Sequence, residues 1–385
     1  MTLTDYIAAA PEIILLGLIC AVMIADLFVE DEEGKTTFWL TMASLAVVAI
    51  ALYMTTPGEP IVAFYGAYVS DAFSQILKLA TVLFVGVSFL YARDYLIANG
   101  LNKGEYYLLG LFGLLGMMIM MSAHSLLTMY LGLETLALSM YALVAIDRNN
   151  VTSAESAMKY FVLGAIASGA LLYGISWVYG VTGSLQFGEI AAALSADPGL
   201  NNLPLWFGLA FLIVGIAFKF GAVPFHMWLP DVYQGARTPV TLYLASAPKL
   251  AALALLMRIL VDGLGGLHET WSTMLMFVAV LSILVGNFVA IAQTNIKRML
   301  GYSTIAHVGF ILLAVYTGTG DGYASALFYA LTYVVAAAGA FGIIIIMSRR
   351  GYDAELLTDF KGLNQRSPWF ALMMLFLMFS MAGVP

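Results

Sequence analysis

The sequence predicts an all-α protein, a polytopic transmembrane helix bundle with inverted repeats and Gly/Pro-broken helices. Three observations carry that expectation. The 385 residues are 62% hydrophobic and only 10% charged, whereas soluble domains carry about 25% charged residues. The apolar residues gather into runs of the length a bilayer demands, about 20 residues each. The basic residues fall between alternate runs rather than between all of them.

In chain order the runs lie near 8–29, 37–55, 71–92, 105–123, 125–146, 154–180, 203–224, 238–261, 270–292, 300–318 and 322–347, and a last one begins at Pro368. The first run has no basic leader and is long enough to span, so no cleavable signal peptide is expected. The last, within "SPWFALMMLFLMFSMAGVP", stops at Pro385 with no polar flank. Apolar sequence is therefore expected to continue beyond it.

Of the 16 Lys and Arg, 12 lie in or beside the segments that follow odd-numbered runs. The other four, Lys78, Lys219, Lys249 and Arg258, lie within runs. The excess of basic residues in cytoplasmic loops then places the odd-numbered loops inside and the N-terminus outside. The sequon at Asn150-Val151-Thr152 falls on that cytoplasmic side and is discounted.

Composition also excludes chemistry. A single cysteine, Cys20, rules out a cysteine-ligated cluster, a C-x-x-C redox site or a disulfide framework within this sequence. His124, His226, His268 and His307 lack metal-ligand spacing, and a net charge of −7 argues against a nucleic-acid partner.

Charges at membrane depth are costly, roughly 2.5–3.5 kcal/mol each on insertion scales, and mark function by default. Glu134, in "LTMYLGLETLALSMYALVAI", is the only carboxylate near the centre of a run. Lys219 precedes Pro224 in "FKFGAVP", and Lys249 follows Pro248 in "LYLASAPKLAALALL". Proline frees the carbonyl four residues before it, near Phe220 for Pro224, as a partner for an ammonium or for water. His307 lies about two turns into the tenth run. It reads as a satisfied core histidine or as a proton relay between lysines. Glu134 has its own bland alternative, a hydrogen-bonded packing contact. Lys78 and Lys159 lie near run ends and are expected to snorkel. His226 and Asp231 in "PFHMWLPD" make a poor metal pair and read better as a hydrogen-bonded helix break. "FKFGAVP" recurs in outline as "FSMAGVP", which ends at Pro385, 161 residues and five runs later. An odd offset inverts the second copy, the usual pointer to a mid-membrane transport site. One carboxylate, two lysines and a histidine form a row that can pass protons among themselves and internal water.

The stretch "AFKFGAVPFHMWLPDVYQGARTPVTLYLASAPKLAAL" resembles the antiporter-like membrane subunits of respiratory NADH:quinone oxidoreductase (complex I), and among them subunit N, the counterpart of mitochondrial subunit 2. "MYLGLETLALSMYALVA", "KYFVLGAIASGALLYG" and "NIKRMLGYSTIAHVGF" fit the same group. The resemblance covers essentially the whole chain. It implies a glutamate at Glu134, lysines at Lys219 and Lys249, and at His307 a polar position linking two half-channels. The second repeat's lysine would follow the break at Pro385. Arg237 and Thr238 stand where smaller residues are expected. The implied division is 1–104 N-terminal helices, 105–262 first inverted repeat and 263–385 second, incomplete repeat.

The implied function is outward proton translocation coupled to quinone reduction elsewhere in the complex, as a non-redox subunit of the enzyme. The chain would bind no cofactor; NAD, FMN, iron–sulfur clusters and quinone would belong to partner subunits. Its surroundings would be other complex I membrane subunits and lipid, in the bacterial inner membrane. The rivals are a subunit of a multisubunit Na⁺/H⁺ antiporter or membrane-bound hydrogenase, and a scaffold whose buried charges are relics.

Overall fold

The computed structural model describes residues 2–28, 34–348 and 352–384; Arg349, Arg350 and Pro385 lie outside them. The chain opens with α1 (Leu3–Ala8), α2 (Ala10–Asp26) and α3 (Lys35–Met54). A hairpin, β1 (Ile61–Ala63) and β2 (Tyr68–Ser70), pairs Ile61 with Ser70. Then come α4 (Ala72–Ala98), α5 (Gly104–Ser122), α6 (Leu126–Val144), α7 (Val151–Thr182), α8 (Phe187–Ala196) and α9 (Leu203–Phe220). Next are α10 (Trp228–Gly235), α11 (Thr238–Ala245) and α12 (Ala247–Leu256), which continues as a π-helix over Met257–Gly263. The rest is α13 (His268–Ile291), α14 (Ile296–Tyr316), α15 (Gly320–Met347), α16 (Leu363–Arg366) and α17 (Pro368–Met381).

All twelve apolar runs are helical through most of their described residues. Ten stretches among the described residues are long and apolar enough to cross a membrane. The first and twelfth runs form shorter helices of 17 and 14 residues. Helix starts follow local chemistry: Asp71, Ser125, Asn150, Asn202, Asn295 and Thr319 each accept a backbone N–H of the first turn, relieving donors that lipid cannot satisfy.

Glycine sets the closest helix approaches, which drive association where lipid removes the hydrophobic effect. A Cβ on Gly116 of α5 would stand 2.6 Å from the Gly132 carbonyl of α6. A Cβ on Gly286 of α13 would stand 2.6 Å from the Ala306 nitrogen of α14. The tight pairing of the fourth and fifth runs thus recurs in the ninth and tenth. That offset of five is the one separating the two Gly–Pro motifs.

The motifs themselves end their helices in one way. In α9, Gly221 takes φ +76° and the Ala222 N–H donates back to the Ala217 carbonyl. In α17, Gly383 takes φ +90° and the Val384 N–H donates to the Phe379 carbonyl. Both are Schellman caps, in which only glycine is comfortable at the left-handed position. The second is shifted by one residue.

Several expectations need correction. The seventh helix ends at Phe220, not Pro224, because Gly221 turns the chain first. The eighth run is not one helix: Ser246 (φ −105°, ψ −99°) separates α11 from α12. Lys78 does not snorkel. It is fully buried, 2.5 Å from Glu12 of α2 and 2.9 Å from the Tyr68 hydroxyl. Arg258 lies in the π-helical end of the eighth run and pairs with Asp71 (2.8 Å) and Asp262 (2.9 Å). The hairpin and α8 carried no apolar run long enough to announce them.

Candidate functional site

The site begins with the carbonyls at the α9 break. Every buried carbonyl needs a donor, and here each donor is specific. The Phe218 carbonyl accepts from Trp228 Nε1 at 2.9 Å. The Phe220 carbonyl accepts from Lys249 Nζ, also at 2.9 Å. The Val223 N–H donates to Ser282 Oγ at 2.9 Å, which fixes the loop against α13. So the carbonyl expected to serve Lys219 serves Lys249 instead. Lys249 is 2% exposed and lies in the first turn of α12, with Pro248 just before it. Its ammonium also faces the Trp228 ring at 5.7 Å, within cation–π range.

Lys219 sits one residue before the end of α9, and its ammonium makes none of the described hydrogen bonds or ion pairs. It opens onto a cavity of about 20 Å³, which Lys249, Pro248, Trp228, Tyr160 and Met140 also line. That is room for about one water. The cavity brings the two lysines together although they lie on different broken helices.

Glu134, half-buried on α6, accepts a hydrogen bond from Ser168 of α7 and lies within electrostatic reach of Lys219. It makes no direct ion pair with that lysine among the described residues. His307 is buried on α14. Its Nδ1 meets the Tyr329 hydroxyl at 2.8 Å, its ring is 5.0 Å from that of Tyr333, and the backbone of Met381 at the end of α17 lies against it.

The family profile described as NADH:quinone oxidoreductase/Mrp antiporter, transmembrane, matches residues 123–385. NADH-quinone oxidoreductase subunit N of Thioalkalivibrio sulfidiphilus is 56% identical over 99% of this chain and 79% of its own length. The chain belongs to the subunit N family of NADH-quinone oxidoreductases. Subunit N of Alkalilimnicola ehrlichii is likewise 56% identical, over 99% of this chain and 78% of its own. Among solved structures, a chain of respiratory complex I from Thermus thermophilus is 35% identical with a TM-score of 0.82, covering 97% of this chain and 79% of that one. The Mrp complex from Dietzia shares the fold: TM-score 0.86, 23% identity, 100% of this chain and 72% of that one. With ten apolar spans among the described residues and this family, the chain is a multi-pass integral protein of the plasma membrane.

For this member of the subunit N family, the remaining predicted positions lie at the basic end of the bundle. Asp231 of α10 binds Arg298 of α14 at 2.7 Å and Lys159 of α7 at 2.9 Å. Burial pushes its carboxyl up, but those hydrogen bonds outweigh it and hold the group below the usual carboxylate range. Lys159 is thus an ion-pair partner that stays part-exposed. His226 does not meet Asp231; its Nδ1 is buried without a hydrogen-bond partner.

Sequence reasoning missed the role of Arg237. It caps the junction leading into α11 and binds Asp147 (2.5 Å) and Asp353 (2.7 Å), while the Tyr95 hydroxyl donates to Asp353 at 2.6 Å. Lys297 grips the neighbouring Ala236 carbonyl at 3.0 Å and Glu355 at 2.5 Å. Two cations and three carboxylates therefore clamp the entry to the broken eighth helix. The available signal was the bulky cation in "GARTPVT", at a helix start that needs an anchor.

Proposed function

We propose that this chain is a proton-translocating membrane subunit of an NADH:quinone oxidoreductase. It moves H⁺ from the cytoplasm outward through Glu134, Lys219, Lys249 and His307, driven by quinone reduction elsewhere in the complex. The cavity shared by Lys219 and Lys249 at the α9 break carries the reading. A lysine that hydrogen-bonds a freed carbonyl and one that faces a water-sized space can exchange a proton through that space. Glu134 attracts the Lys219 ammonium: holding the two close keeps the proton on Lys219, and separating them frees it toward the cavity. Pro224 and Pro248 flank the two breaks, and Pro385 would stand at the equivalent break of the twelfth run. Asp231 and Lys159 brace α10 through their ion pair rather than carry protons.

The chain acts without a redox centre of its own. NAD, FMN, iron–sulfur clusters and quinone belong to the partner subunits, and the energy arrives as a conformational or electrostatic signal. The domain reading follows the glycine pairing and the two caps: N-terminal helices over 1–104, then repeats over 105–262 and 263–385.

Mass spectrometry of the subunits that co-purify with the tagged chain tests this. NADH- and quinone-reactive partners are expected, and the chain alone in liposomes should not exchange Na⁺ for H⁺. Cation exchange by the isolated chain would support the antiporter alternative and overturn the proposal.

A further inference from the structure

A set of buried hydroxyls lies between the first repeat and His307. Thr304 Oγ1 of α14 is 2.8 Å from the Tyr333 hydroxyl of α15. Because Thr304 donates its own proton to the Leu300 carbonyl at 2.8 Å, Tyr333 is the donor in that pair. The Tyr333 ring lies 5.0 Å from His307, whose Nδ1 meets the Tyr329 hydroxyl. On the other side, the Tyr233 hydroxyl of α10 faces Thr304. Tyr233 is completely buried, and among the described residues its hydroxyl makes no hydrogen bond of ordinary length, with the Thr304 hydroxyl lying just beyond that reach. An orphaned buried hydroxyl is costly, and phenylalanine would fill the same space without that cost. Tyr233 lies within electrostatic reach of Tyr160, which lines the Lys249 cavity, and its carbonyl is held by Thr241 Oγ1 of α11 at 3.0 Å.

We propose that Tyr233, Thr304 and Tyr333 are catalytic residues of proton transfer, a hydroxyl row that joins the Lys249 pocket to His307. The inference rests on the proton-relay reading above and deepens it. In each step one oxygen accepts a proton from its neighbour as it gives its own to the next. The Thr304 hydroxyl turns from the Leu300 carbonyl toward Tyr233 or Tyr333 as it does so. His307 takes a proton on one ring nitrogen and releases one from the other, so no phenolate is left behind and no bond to carbon changes. Side chains on α10, α14 and α15 supply the row, so it crosses the seam between the two repeats.

The test uses the intact complex in liposomes, with proton uptake per NADH oxidised as the readout. Tyr333→Phe and Thr304→Val keep shape and remove the hydroxyl. Both should lower the yield to that of Lys249→Met, with normal co-purification of partner subunits, and Thr304→Ser should restore it. Tyr106→Phe, which removes another buried and unpartnered hydroxyl outside the row, should match wild type. Wild-type yield in Tyr333→Phe and Thr304→Val, alongside a loss in Lys249→Met, overturns the row and leaves the relay reading standing. Wild-type yield in Lys249→Met overturns the relay reading itself. Should Thr304→Val fail to assemble, Tyr233→Phe decides in the same way, since phenylalanine keeps the ring packing and removes only the hydroxyl.

Discussion

Replacing Lys78 by methionine isolates one buried ion pair. Lys78 Nζ lies 2.5 Å from Glu12 and 2.9 Å from the Tyr68 hydroxyl, which in turn donates to Glu12 at 3.0 Å. The two charged side chains are 0% and 8% exposed. Breaking such a pair from one side leaves an uncompensated buried charge and costs about 3–5 kcal/mol, whereas replacing both partners by apolar residues is neutral or stabilising by about 1–4 kcal/mol. Lys78→Met should therefore lower the melting temperature of this 385-residue chain by about 4–6 °C. Glu12→Leu with Lys78→Met should recover most of it. The assay is thermal unfolding of the purified chain in detergent, followed by tryptophan fluorescence. A spin label on Cys20, the sole cysteine and part of α2, should become more mobile in the single variant alone. A single variant that melts like wild type, or a double no better than the single, would refute the reasoning.

Arg237→Gln should loosen the clamp at Asp147 and Asp353 by roughly 1–3 kcal/mol; hydrogen exchange at residues 352–356 should rise, and unchanged exchange would contradict the clamp. The Asp231 carboxyl is held low in the folded protein, so its stabilisation of α10 is full above the usual carboxylate pKa and fades as pH falls through the depressed value. Exchange of the α10 amides should accelerate only in that acid window, and Asp231→Asn should remove the pH dependence. Gly116→Val would push side-chain atoms into the Gly132 backbone, and poor assembly of the variant into the membrane bundle is the expected result.

The bundle was legible because lipid leaves few options: apolar runs of spanning length must be helices. The α9 break was legible in "FKFGAVP" because glycine and proline act on their own local backbone. What stayed hidden depends on partners far apart in the chain. Lys249 caps the Phe220 carbonyl 29 residues away, so proximity in sequence wrongly favoured Lys219. Arg237 reaches carboxylates 90 and 116 residues distant. The Lys78 pairing had a readable signal, since topology puts the starts of the first and third runs on one face and a buried lysine needs an anion. Glu12 stands at the first of those starts. The hydroxyls of Tyr233, Thr304 and Tyr333 carried no such signal, because tyrosine and threonine are ordinary residues in a membrane helix.

The central claim is that Glu134 and Lys219 act as one switch on the path through the Lys249 cavity. The direct measurement is proton uptake per NADH in liposomes holding the complex with Glu134→Gln, Lys219→Ala or both. Each single variant should lose pumping, and the double should be little worse than the more damaging single. Losses that multiply as for independent sites, or a Glu134→Gln complex that pumps normally, would contradict the account.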